Sequence, residues 1–258
     1  MTYTINHNDE FNSTEIFFDG KPSAAVRDTL KGMKFRWHGV KKCWYGRKPE
    51  AEVRAAIDAA INPADAYQIQ TRPGYLGAIA WDGSNAHKGL YGADLSAALR
   101  QAFKTVGIKG VTVSCKTYTG GQHITLSIKA GAADYVTAEE YAANCRLHDF
   151  AAFGWVTDTD TGETVHEQDT CSWDGEKLDR VTRALALQSY ADMTQHKADL
   201  NHYHIDSYKV FAPAFIEKLH LIRKVVDSFN YDDSNSMVDY FDRGFYESWK
   251  VIPEGAAA

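Results

Sequence analysis

The sequence predicts an α+β fold: a small N-terminal β-α-β-β-α module followed by a larger α+β domain with an antiparallel sheet. Three observations carry that expectation. Alternating apolar and polar residues flank glycine turns at Gly39 and at Gly120-Gly121, as they do in hairpins. Between and beyond them, apolar residues recur three and four apart, as they do in helices. Hydrophobic residues make up 44% of the chain and charged residues 24%, an ordinary balance for a protein with a buried core.

Residues 14–18 (TEIFF) alternate as a strand. Asp19-Gly20 turns the chain, and Pro22 suits the first position of a helix running to about Leu30. Ala25, Val26, Thr29 and Leu30 give that helix its apolar side. A hairpin follows, KFRWH and KKCWY. With Gly39-Val40 as its loop, Phe35 faces Trp44 and Trp37 faces Lys42. Side chains alternate along a strand, so Lys34, Arg36, His38, Lys41, Cys43 and Tyr45 share the outer face while the aromatics face the small core. Pro49 opens a second helix, with Val53, Ala56, Ile57 and Ala60 on one side and Asn62-Pro63 at its end. The domain division that follows is residues 1–62 and 63–258.

The larger domain begins with a break and a strand within TRPGYLGAIAW, then a helix from about Ala93 to Val106. Its apolar positions are Leu95, Ala98, Leu99, Ala102 and Phe103. In the second hairpin, pairing Thr119 with Gln122 sets Cys115 against Leu126, Val113 against Ile128 and Val111 against Ala130. The other face, with Thr112, Ser114, Lys116 and Tyr118, is hydroxyl-rich and basic. It is either a solvated sheet face or a phosphate contact. Thr137 and Glu140 form a capping box that opens a helix to about Phe150. Residues 155–165 read as a strand and a loop around DTDTG. Helix signals return from Asp174 to about His196, HYHIDSYKVF reads as a strand stopped by Pro213, and residues 214–229 carry the strongest amphipathic helix. The tail EGAAA is expected to fray.

Charge is spread unevenly over a net of -6. Residues 31–48, KGMKFRWHGVKKCWYGRK, hold Lys31, Lys34, Arg36, Lys41, Lys42, Arg47, Lys48 and His38 with no acid. Phe35, Trp37, Trp44 and Tyr45 are interleaved. Basic side chains draw in phosphates, and aromatic faces let bases stack. Lys31, Lys34, Arg36, Lys41, Lys42, Arg47, Lys48 and Tyr45 are therefore candidate nucleic-acid-binding residues, for a single strand. A solvated basic face is the plain alternative. The sign then inverts: residues 151–208 hold eleven acids against four Lys or Arg. Residues 227–247 hold Asp227, Asp232, Asp233, Asp239, Asp242 and Glu247 against Arg243 alone. An acidic surface studded with aromatics complements the positive channel of a protein that handles nucleic acid. Asp232, Asp233, Asp239, Tyr240, Asp242 and Tyr246 are the candidate partner-binding residues. The alternative has the aromatics as core and the acids as solubilising charge.

Other chemistry finds less support. Cys43, Cys115, Cys145 and Cys171 are far apart, with no CxxC, and read as four thiols in a reducing cytosol. His202 and His204 would share one side of a strand, with His196 and His220 elsewhere, but no zinc spacing is present. Asp158 to Glu163 has the flavour of a calcium loop without its sixth-position glycine, and a turn fits better. A nuclease could use Asp232, Asp233 and Asp239 but lacks a nearby lysine in fixed relation. Neither a Walker loop nor G-x-S-x-G occurs. No catalytic residue, cofactor or metal is expected. There is no apolar run of membrane-spanning length and no signal-peptide pattern, so the expected place is the cytoplasm, without a membrane partner.

Two stretches resemble known families. The 12–62 unit, through Lys31, Phe35, Trp37, Lys42, Trp44 and Tyr45, is similar in outline to the HepA-related domain of annealing helicases. Residues 75–252 resemble a large polyvalent-protein-associated domain of phages and conjugative elements. The carrying stretches are GADLSAALRQAFK, KGVTVSCKTYTGGQHITLSIK and FNYDDSNSMVDYFDRGFY, with Asn235 where that family usually has Asp. The resemblance implies a setting in counter-defence or the handling of incoming DNA. It brings no catalytic residues. Together with the charge inversion, it leads to the first functional expectation: a non-enzymatic, anti-CRISPR-like protein that binds and blocks a nucleic-acid-dependent defence complex of the host. A single-stranded DNA or RNA accessory protein is the second expectation, and a metal-dependent nuclease the third.

Overall fold

The computed structural model describes residues 1–151, 154–159 and 161–256. Asp160 of the DTDTG loop and the last two alanines of the tail lie outside the described residues. The chain divides into two units, Met1–Ile69 and Gln70–Ala258, so the division falls later than residue 62.

The first unit gains a strand that the sequence reading omitted, β1 (Tyr3–Asn8), followed by β2 (Ser13–Phe18), α1 (Ala24–Gly32), β3 (Arg36–His38), β4 (Cys43–Gly46) and α2 (Glu50–Ile61). All sheet pairs are antiparallel, in the order β1-β2-β4-β3. Ser23 caps α1 by accepting from the Val26 N–H, and Glu50 and Glu52 sit in the first turn of α2, where the helix dipole favours acids. Val26 and Leu30 of α1 and Val53 and Ile57 of α2 pack with Ile16, Phe35 and Trp44. Both helices thus cover one face of the sheet. Tyr3 pins β1 to α2 through its hydroxyl, which donates to Asp58 at 2.6 Å.

The first hairpin departs from expectation in its register. Trp37 pairs with Trp44, Arg36 with Tyr45 and His38 with Cys43, around a four-residue connection, residues 39–42. The slip is two residues, an even number, so every side chain keeps its expected face. Trp37 does not join the core, however: it is 51% exposed. It lies on edge strand β3, with a sheet neighbour on one side only, and its ring tilts against Trp44 at 5.9 Å.

The second unit continues with β5 (Ile69–Pro73), β6 (Ile79–Gly83), α3 (Ala93–Thr105), β7 (Val111–Tyr118), β8 (Gly121–Ala130), α4 (Ala138–Asn144), β9 (Trp155–Thr157), β10 (Thr164–His166), α5 (Gly175–Gln195), β11 (Ala198–Leu200), α6 (Pro213–Asp227), β12 (Tyr231–Asp232) and β13 (Tyr246–Pro253). The chain is α+β, with antiparallel pairs prevailing in several sheets. The principal sheet runs β11-β13-β8-β7, and its β13–β8 pair is parallel. A second sheet runs β12-β6-β5, and β9 and β10 form a hairpin of their own. α3 packs on β7 of the main sheet and against α6, and Leu95, Leu99, Phe215, Leu219, Ile222, Ile124, Leu126, Ile128 and Trp249 are all fully buried. Each contributes roughly 1.5–3 kcal/mol by leaving water.

The second hairpin repeats the two-residue slip. Val111 meets Ile128, Val113 meets Leu126 and Cys115 meets Ile124, with Thr119-Gly120 as the loop. Gly120 takes the positive φ of 85° that the turn requires. Two further expectations change. The capping box at Thr137 holds, but α4 ends at Asn144 and resumes only as a 3₁₀ turn, Leu147–Phe150. HYHIDS is a 3₁₀ turn, His202–Ser207, and not a strand, so His202 and His204 do not share a strand face.

Candidate nucleic-acid interface

Because α1 and α2 occupy one face of the N-terminal sheet, strand alternation sends Glu15, Tyr45 and Arg36 to the other, in one row across β2, β4 and β3. That open face holds a depression of about 860 Å³. Lys34, Arg36, Lys41, Arg47 and Lys48 line it, with Tyr45, His38 and Phe11. The fold thus brings together six of the eight candidate residues at this place. Lys31 and Lys42 are not among the lining residues. Lys31 instead faces Asp28 at 3.4 Å on the same helix.

Glu15 is the one acid in the lining. It accepts hydrogen bonds from Asn8 at 2.8 Å and Lys41 at 3.0 Å. These bonds hold its carboxyl below the usual carboxylate range and push the Lys41 ammonium up. Lys48 pairs with Glu52 at 2.8 Å, a half-exposed contact of little strength. Lys34, Arg36 and Arg47 make no ion pair among the described residues. The depression therefore keeps a positive excess, centred on Arg36 and Arg47. His38 accepts from the Lys41 N–H at 3.1 Å and sets its ring edge-on to Tyr45 at 5.9 Å. Cys43 shares the face and is fully buried, which pushes its thiol up.

The turns around this face carry strain. Asn12, Lys34 and Lys42 have φ of 44°, 66° and 52°, in the left-handed region that costs an ordinary side chain about 1–2 kcal/mol. Lys34 ends α1: its N–H bonds the Lys31 carbonyl and the Phe35 N–H bonds the Leu30 carbonyl, a Schellman motif. Glycine is usual at the Lys34 position. A lysine there sets an ammonium-bearing side chain at the mouth of the depression, at the expense of helix termination.

Sequence reasoning missed Phe11, which is 60% exposed in the β1–β2 turn beside the cations. Its signal was an aromatic residue inside the polar run NDEFNS. It also missed Glu15, legible only as the residue out of phase with Ile16.

In the second unit the candidate acids are mostly engaged. Asp232 pairs with Arg243 at 2.7 Å and Asp233 with Arg72 at 3.3 Å. Asp233 also accepts from the Tyr75 N–H at 3.1 Å. Asp242 accepts from the Tyr231 and Tyr240 hydroxyls at 2.9 and 3.3 Å. Asp239, with φ of 52°, has no side-chain partner among the described residues. Tyr240 packs on Tyr75 at 4.5 Å, and Tyr246 lies on β13 with the Arg243 guanidinium 6.0 Å from its ring. These acids fasten loops together, and Asp239 is left to act at distance. Asp158 of the DTDTG turn is buried against Arg180 at 3.4 Å, while its carbonyl accepts from Gly162. Among the described residues no three His, Cys, Asp or Glu side chains converge as metal ligands, and no helix is long and apolar enough to cross a membrane.

No protein-family model matches this chain, and no curated protein or solved structure matches it.

Proposed function

We propose that this protein works by binding, and that its N-terminal unit holds single-stranded nucleic acid on the open face of its sheet. One observation carries the reading: Lys34, Arg36, Lys41, Arg47 and Lys48 line a single depression with Tyr45 and Phe11 and one acid. Cations at that spacing track a phosphate backbone, and the exposed rings offer bases a flat surface. The full chain should bind a fluorescent oligonucleotide with a log–log salt slope of about -2 to -3, as expected for some four phosphates on a single strand. Arg36→Glu with Arg47→Glu should lower affinity at least ~100-fold at low salt, since like charges then face the phosphates. Lys34→Gly should raise stability by up to ~1 kcal/mol and still weaken binding. Unchanged affinity in the double variant would leave the face as solvated charge.

A second reading has the chain blocking a nucleic-acid-dependent defence complex of a bacterial host. It is favoured by an observation in the other unit: Leu76, Met237 and Phe241 stand exposed on loops that also carry Asp233, Asp239 and Asp242.

A further inference from the structure

The loops at residues 74–79 and 235–241 are stitched into one knuckle. Asn235 donates to the Tyr75 carbonyl at 2.9 Å, Asp233 accepts from the Tyr75 N–H, and the Tyr75 and Tyr240 rings meet at 4.5 Å. Asn235 also bridges to Tyr240 through the backbone, which closes the second loop on itself. A framework this well tied could carry any residues at its tips. It carries Leu76, 70% exposed, and Met237, 89% exposed, with Phe241 at 59%. Leu76 also has φ of 50°, and Asp239 φ of 52°. A leucine in the left-handed region is costly, and glycine or asparagine would relax it. Burial does not repay that cost, because the side chain is 70% exposed. Strain of this kind, held in place by surrounding hydrogen bonds, marks sites whose use lies outside the folded chain.

The charge around the knuckle selects the partner. Asp82, Asp232, Asp233, Asp239 and Asp242 surround it, against Arg72 and Arg243. The surplus is negative, so phosphates of nucleic acid or of an anionic membrane are repelled. We infer that this knuckle docks onto a protein surface that presents an apolar stripe flanked by lysine and arginine, as a basic amphipathic helix does. Leu76, Met237 and Phe241 would be the buried anchors, and the carboxylates the rim. The inference does not rest on the nucleic-acid reading, which concerns the other unit, and either can fail without the other.

The test uses the full chain and three labelled helical peptides: leucine with lysine, leucine with glutamate, and serine with lysine. Fluorescence anisotropy should show saturable binding of the leucine–lysine peptide alone. Leu76→Asn with Met237→Ser should weaken it about tenfold or more, the effect of losing anchor contacts, without lowering the melting temperature. Leu76→Gly alone should give part of that loss while raising thermal stability. Absence of saturable binding, or equal binding to the double variant, would overturn the inference. So would equal binding of the leucine–glutamate peptide, or of the serine–lysine peptide, which would reduce the effect to charge. Sedimentation closes the remaining alternative: a dimer that dissociates in the double variant would make the occupant a second copy and overturn the assignment to a basic-rimmed partner.

Discussion

Trp37 and Trp44 stand opposite each other in the sheet, yet they have different work. Trp44 is buried with Ile16, Phe35 and the two helices, while Trp37 lies at the sheet edge half in water. Trp44→Ala should cost about 3–5 kcal/mol, the usual loss for a large core aromatic. Trp37→Ala should cost only on the order of 1 kcal/mol, a tilted ring contact and a little area. Urea denaturation of both variants checks the difference; equal losses would mean that Trp37 is core after all. The sequence makes the two residues look alike, since both alternate in phase. Which of them is buried depends on β3 being an edge, and that is a property of the assembled sheet. The acids of the C-terminal segment show the same limit. Composition exposes their charge, but the partner of Asp233 is Arg72, 161 residues away. A carboxylate free in the sequence is thus a loop fastener in the fold.

Elements were more legible than their pairings. The helices at 175–195 and 213–227 and the Thr137 cap lie close to where periodicity and capping place them. Both hairpins were found, and both slipped by two residues. The reason is physical. Side-chain alternation has a period of two, so it fixes the face but leaves registers two apart equally good. Only the turn separates them. In the second hairpin Gly120 takes the left-handed position while Gly121 belongs to β8, where a Cβ would meet the Tyr118 ring. In the first, Lys42 takes the left-handed place that Gly39 seemed made for. β13 escaped notice because the acid Glu247 occupies the face that Trp249, Val251 and Pro253 share, while Ile252 places an apolar residue on the other face. One element contact is tight enough to test by a single methyl group. Gly83 of β6 lies against the end of α6, where its N–H bonds the Asn230 carbonyl and an added Cβ would collide with the backbone of Asp227 and Ser228. Gly83→Ala should lose about 1–3 kcal/mol by overpacking. Gly175→Ala, in the first turn of α5 with open space around it, should be neutral or stabilising. Equal melting temperatures for the two variants would dissolve the close approach.

At the scale of the whole molecule, one buried cluster sets how stability responds to pH. His202 stacks on Trp249 at 5.3 Å, and its Nε2 lies 3.3 Å from Glu247. Trp249 donates to Glu247 at 2.6 Å, and Arg223, Asp227 and Arg243 stand close by. Burial pushes the Glu247 carboxyl up to about 7, and burial with the two guanidinium groups pushes the His202 imidazole down to about 4. Between the ordinary carboxyl value of 4.5 and about 7, the folded state holds the Glu247 proton more tightly, so stability falls as pH rises. Between about 4 and the ordinary imidazole value of 6.5, the unfolded state takes up the His202 proton more readily, so stability rises with pH. The two slopes oppose each other through most of that window and leave a flat profile. Glu247→Gln should remove one of them. Its stability, measured by denaturant from about pH 5 to pH 8, should then climb below about 6.5 with a slope approaching ~1.4 kcal/mol per pH unit, and should exceed that of the parent at the alkaline end. A variant profile as flat as the parent's would mean that the pair is not coupled in this way. The same Glu247 sits on β13, the strand between β8 and β11, and that position has a consequence for synthesis. One of the sheet's two interior strands is its last in chain order, so while residues up to Pro253 are still within the ribosome, β8 and β11 face a gap. The nascent second unit therefore waits with an open parallel edge, in need of shelter, until translation delivers the strand that closes it.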